Sequence, residues 1–167
     1  MKTIKNVASY AIWTVATALF ISQNVLAGIP VVQWTQSSGA RIFLVESPAI
    51  AMVDVKLDFD AGARRDPPDK IGLAGVTASL ASLGVQARGA EPALDENALG
   101  EAWADLGASF GAGASSDRMS FSLRSLTYPD LLPKAVALAA RQLGEPSFPQ
   151  HVWQRRSEEH TSELQSR

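Results

Sequence analysis

Val53, Val55, Leu57 and Phe59 alternate with Asp54, Lys56, Asp58 and Asp60. A period of two over eight residues admits one local structure: a β-strand with one face on a core and the other in water. Everything placed next to it must cover that apolar face. Asp54, Asp58 and Asp60 could also be read as ligands for a hard cation, but a solvated strand face accounts for them with less. Ala61-Gly62-Ala63-Arg64-Arg65 then turns the chain; the arginine pair reads as an exposed turn in preference to a processing or anion site.

The next segment, Asp69 to Leu83, reads as a helix entered from Pro67-Pro68, with Asp69 capping the first free amides. Leu73, Val76, Leu80 and Leu83 form its apolar stripe. Gly75, Ala78 and Ser79 stand at i, i+3 and i+4 and share another line. The loop from Gly84 to Pro92 is rich in small residues and easily left mobile. Asp95 N-caps a second helix, with Leu94 and Leu99 as a hydrophobic staple, Leu99, Trp103 and Leu106 facing inward, and Gly107 ending it.

Around this centre lie weaker signals. Val31–Trp34 and Arg41–Glu46 suggest a hairpin across Ser37-Ser38-Gly39. Ser109 to Ser115 and Arg118 to Arg124 read as two more strands, the second with Met119, Phe121 and Leu123 on one face. Pro129 suits the first turn of a third helix with a stripe of Leu132, Val136, Ala139 and Leu143. The order β-β-β-α-α-β-β-α, with alternating strands, favours an α+β fold: an antiparallel sheet with helices packed on one face.

At 46% hydrophobic and 19% charged, with a formal net charge of -2, the chain suits a globular domain or part of one. No Lys/Arg cluster favours nucleic acid. There are no cysteines, which excludes disulfides, thiol catalysis and cysteine metal sites. Residues 1–27 read as a signal peptide: Lys2 and Lys5, an apolar run from Val7 to Ile21, and Val25-Leu26-Ala27 before a cut at Gly28. The mature chain is thus expected in a bacterial periplasm or secreted, without a membrane anchor. Residues 156–167 are a polar run resembling the in-frame translation of a sequencing-library adapter, and are set aside as a non-native tail.

Gly107, Gly111 and Gly113 follow a helix where a phosphate loop would open one, so no helix N-terminus faces a phosphate. Ser115, Ser116, Asp117 and His151 lack the nucleophile-elbow pattern of a serine triad. Trp34, Trp103 and Trp153 read as packing groups.

From Val31 to Arg155 the chain resembles the N-terminal half-domain of the insulinase/pitrilysin zinc peptidases. The resemblance rests on Val53–Phe59 followed by Ala61-Gly62, Gly72-Leu73-Ala74 opening a helix, the Leu106-Gly107-Ala108 break, the Ser115–Leu123 strand, and Pro146-Ser147-Phe148-Pro149. It implies a partial half-domain over 28–155. In active members Gly-Leu-Ala precedes H-x-x-E-H, two zinc-binding histidines around a glutamate base. Here Gly75 and Ser79 replace the histidines and Ala78 the glutamate. The third zinc ligand of the family would fall near or beyond Arg155. The resemblance therefore implies no catalytic residue, no metal ligand and no cofactor in this chain, although active relatives carry zinc. It further implies a catalytically inactive subunit that pairs with an active zinc subunit in periplasmic peptide or protein processing, in contact with peptide substrate. The alternative is an exported peptide-binding module that keeps the fold without catalysis.

Overall fold

The computed structural model describes residues 29–150. The expected signal segment, His151, Trp153 and the tail from residue 156 lie outside the described residues. Two compact units divide between Pro48 and Ala49.

The first unit is the expected hairpin. β1 (Val31–Thr35) pairs antiparallel with β2 (Arg41–Val45), Val31 opposite Val45 and Thr35 opposite Arg41. Gly39 supplies the left-handed turn residue at φ +87°, and its amide donates to the Gln36 carbonyl over 2.9 Å. Trp34, expected to be a packing group, is 43% exposed on this hairpin.

The second unit holds an antiparallel sheet of β3 (Met52–Phe59), β4 (Ser109–Ala114) and β5 (Met119–Leu126), in the order β3-β5-β4. Val55 stands opposite Leu123, Leu57 opposite Phe121, and Phe110 opposite Leu123, so the apolar rows of all three strands share one face. Helices α1 (Leu73–Ala81), α2 (Glu96–Asp105) and α3 (Leu132–Gly144) accompany it. The main core joins Leu99 and Trp103 of α2, Leu123 of β5, Ala135 and Ala139 of α3, and Val85 of the α1–α2 loop. The Phe110 ring stacks on Trp103 at 5.7 Å, and Phe121 meets Phe59 edge-on at 5.9 Å. The α+β architecture expected from the element order is the one observed. Helix α2 also forms as expected: Asp95 Oδ1 accepts from the Ala98 amide over 2.9 Å, and Gly107 leaves the helix at φ +56°.

The other two helices correct the sequence reading. α1 begins at Leu73, not Asp69, and its cap residue is Gly72 in the left-handed region. The Pro67-to-Lys70 stretch is a turn in which the Lys70 amide reaches the Pro67 carbonyl at 2.8 Å. Its buried face is Ala74, Ala78, Leu80 and Ala81, while Leu73 is left exposed. In α3 the proline of the first turn is Pro133, with Pro129 outside the helix. Its buried residues are Ala135, Ala139, Arg141 and Gln142, whereas Val136 is 48% exposed. In α1 only Leu73 leaves the expected stripe, since Leu80 and Leu83 form a small core with Val76 packed against them, whereas in α3 close approach through Ala135 turns Val136 outward.

Candidate functional site

The motif helix α1 is held at its N-terminus by a residue that precedes the proline turn. Asp66 accepts hydrogen bonds from the amides of Gly72, at 2.8 Å, and Ala74, at 3.0 Å. A carboxylate on the first free amides satisfies donors that have no helical partner and complements the positive end of the helix. The Pro67-Pro68 turn brings Asp66 back to amides six and eight residues further on. Asp66→Ala should destabilise the fold by about 1–2 kcal/mol, while Asp69→Ala should change it little. Urea unfolding of the two variants checks this.

Along the motif line, Gly75 is exposed, Ala78 is buried and Ser79 is half-buried. A Cβ at Gly75 would meet nothing within 4 Å. The Ser79 carbonyl accepts from the Ser82 hydroxyl over 2.9 Å. α1 lies against β4, so the line runs beside one edge of the sheet. Zinc binds through imidazole, thiolate or carboxylate, commonly three protein ligands in a catalytic centre. A hydrogen, a methyl and a hydroxyl do not fit it. Among the described residues no three His, Cys, Asp or Glu side chains gather into a group that could hold a metal ion.

The acidic row of β3 is engaged elsewhere. Arg124 Nε donates to Asp54 Oδ1 at 2.6 Å, and this hydrogen bond holds the Asp54 carboxyl below its usual range. Asp58 is lowered chiefly by the Ser120 hydroxyl, at 2.5 Å, with Lys56 and Arg118 adding to it. Asp60 is lowered by Arg65 first and Arg64 second. These aspartates form ordinary exposed cross-strand and turn pairs, and Arg64-Arg65 are partners of Asp60 and not a free anion site. The Ser115 hydroxyl is tied to the Arg118 backbone at 3.3 Å, closing the β4–β5 turn.

Sequence reasoning missed the polar residues that hold the back of the site together. Arg141, 6% exposed, donates through Nη2 to the carbonyls of Gln86, at 2.6 Å, and Pro92. Its Nη1 stands 3.4 Å from Glu91. The loop that seemed easily mobile is therefore strapped to α3. Gln142, 2% exposed, accepts from the Trp103 indole at 3.0 Å and reaches the Ala81 carbonyl at the end of α1 at 3.5 Å. The one available signal was a pair of polar residues in an otherwise apolar helical run.

The family model for Insulinase (Peptidase family M16) matches residues 41–166. No curated protein matches the chain. Among solved structures it is similar to the peptidase M16 inactive domain from Pseudomonas fluorescens, at 32% identity and a TM-score of 0.69 over 77% of this chain. Pitrilysin (22% identity, TM-score 0.62, 84% of this chain) and the periplasmic protease PqqL from Escherichia coli (16%, 0.69, 83%) share the fold. The chain spans 30%, 14% and 15% of those three chains, respectively. The matched residues take in the motif helix, its Asp66 cap, the sheet and α3, and so the chain belongs to the insulinase family, peptidase family M16.

Proposed function

We propose that the chain is part of a catalytically inactive insulinase-like subunit, with residues 28–155 forming part of its N-terminal half-domain. The observation that carries this reading is the motif helix: it is formed and capped, yet Gly75, Ala78 and Ser79 offer neither ligand nor base. Similarity to a relative described as an inactive domain supports it. Such a subunit acts with an active zinc subunit of the same family on peptide or protein substrates, exported behind a leader cut after Ala27. The periplasmic setting of PqqL supports that location.

The test is peptide hydrolysis by the purified chain with added zinc, alone and with a candidate zinc subunit. No turnover is expected alone, and higher turnover by the subunit when this chain is present. Zinc-dependent, chelator-sensitive hydrolysis by this chain alone would sink the proposal. A second reading, peptide capture by strand addition, is favoured by the β4 edge beside α1, where Gly111, Ala112 and Gly113 leave the backbone approachable. Peptide binding with no zinc subunit present distinguishes it.

A further inference from the structure

Four charged side chains join the α1–α2 loop to the end of α3, and they alternate in sign around a closed ring. Arg88 and Glu91, from the loop, stand 3.1 Å apart. Arg141 and Glu145, one helical turn apart, stand 3.9 Å apart. Between the two elements Glu91 meets Arg141 at 3.4 Å, and Arg88 meets Glu145 at 3.7 Å. Each charge thus lies between two of the opposite sign, one from its own element and one from the other. The Arg141 guanidinium also spans the loop, donating to one carbonyl on each arm, Gln86 and Pro92.

Apolar burial does little to close this loop. Residues 86–93 are all exposed, so between Val85 and Leu94 no apolar side chain is buried. Closure also leaves Arg141 Nε and Glu145 Oε2 buried without a hydrogen bond among the described residues, which opposes it. In its favour stand the ring, the two carbonyls on Arg141, and a few backbone bonds. The Val85 and Leu94 amides each reach the other's carbonyl, at 2.9 and 3.1 Å, and the Gln86 amide donates to the Glu145 carbonyl at 2.9 Å. The Gln86 side chain adds one bond, to the Pro146 carbonyl at 2.9 Å. A segment with so few buried apolar contacts opens below the free energy of global unfolding. We infer that the loop is an ionic latch: it opens and closes against α3 as one unit while the sheet stays folded, and the ring of Arg88, Glu91, Arg141 and Glu145 sets how often it is open. Opening uncovers the Arg141 guanidinium, which is 6% exposed in the closed loop.

The test is amide hydrogen exchange of the full chain, read by NMR at the Gln86 and Leu94 amides for the loop and along β5 for the sheet. The variant is the double exchange Arg88→Glu with Glu91→Arg. Both side chains are about half exposed, and the exchange keeps the net charge and their mutual pair while turning both loop–α3 pairs into like-charge pairs. In the wild type the two loop amides should exchange faster than those of β5. Raising sodium chloride from about 0.1 to about 1 M, which shortens the screening length from about 10 to about 3 Å, should speed them further. In the variant they should exchange at least about tenfold faster than in the wild type at the lower salt, since two attractions become repulsions. Added salt should then slow them, because it screens repulsion instead of attraction. The β5 amides should be alike in both proteins. A merely structural role for the loop would not reverse the sign of the salt effect. Loop amides that exchange only as slowly as those of β5 overturn the proposal. So does a variant with wild-type loop exchange, or one whose response to salt keeps the wild-type sign.

Discussion

Gly62→Ala is expected to lower the unfolding free energy by about 3 kcal/mol or more, at the upper end of overpacking effects. Gly62 has φ -79° and ψ 177°, an extended conformation that any residue adopts, so the cause is space and not backbone freedom. A Cβ there would lie 2.3 Å from Arg118 N, 2.4 Å from Ser116 O and 2.5 Å from the Asp117 carbonyl carbon. All three are backbone atoms of the β4–β5 turn and cannot rotate away. The same turn accepts from the amides of Ala63, at 2.9 Å, and Arg64, at 3.0 Å, so relieving the clash breaks those bonds too. Urea unfolding monitored by circular dichroism checks this. Gly75→Ala is the contrast: open space in a helix interior predicts a gain of up to about 1 kcal/mol. An unchanged midpoint for Gly62→Ala would show that the turn can move away from the β3 exit.

Gln142→Leu is expected to cost about 2–4 kcal/mol. Its volume is nearly conserved, so the loss comes from leaving the buried Trp103 N–H without an acceptor and the Ala81 carbonyl without its donor. Trp103 belongs to the main core and α1 carries the motif line, so one amide joins the three helices where they meet. The expected readout is a lower urea midpoint with a shift in tryptophan emission. Gln142→Glu retains an acceptor and should lose less if tested below the pH at which the buried carboxyl ionises. Equal stability for Gln142→Leu and wild type would mean that the network contributes nothing net.

These positions mark where local reading succeeds and fails. The β3 strand and the α2 cap were legible because their causes are local. Alternation over eight residues specifies a strand, although Val55 and Leu57 of its apolar row stay 38% exposed and Phe59 50%, and Asp95 meets an amide three residues on. The hairpin was legible for the same reason: its turn closes within Gln36–Ala40. The α1 cap was misplaced because Asp66 acts across a proline turn, six and eight residues away, outside any helical spacing pattern. The α3 face was partly read: Ala139 is buried as expected, but periodicity weighs side chains by hydrophobicity, whereas close approach to β5 takes Ala135 inward and leaves Val136 48% exposed. Two polar residues then fit inside because each finds partners far along the chain.

By itself the sequence determined the order and kind of the elements, the family resemblance, and the residue types on the motif line: Gly75, Ala78 and Ser79 contain no metal-binding or basic group in any fold. Tertiary structure alone decided that Gly62 abuts the Ser116–Arg118 backbone, that Arg141 straps the α1–α2 loop, and that Gln142 joins three helices. Each of these depends on groups dozens of residues apart meeting within a few ångströms. Local pattern carries no record of such meetings, because the desolvation and packing that make them favourable arise only once the sheet and helices have come together.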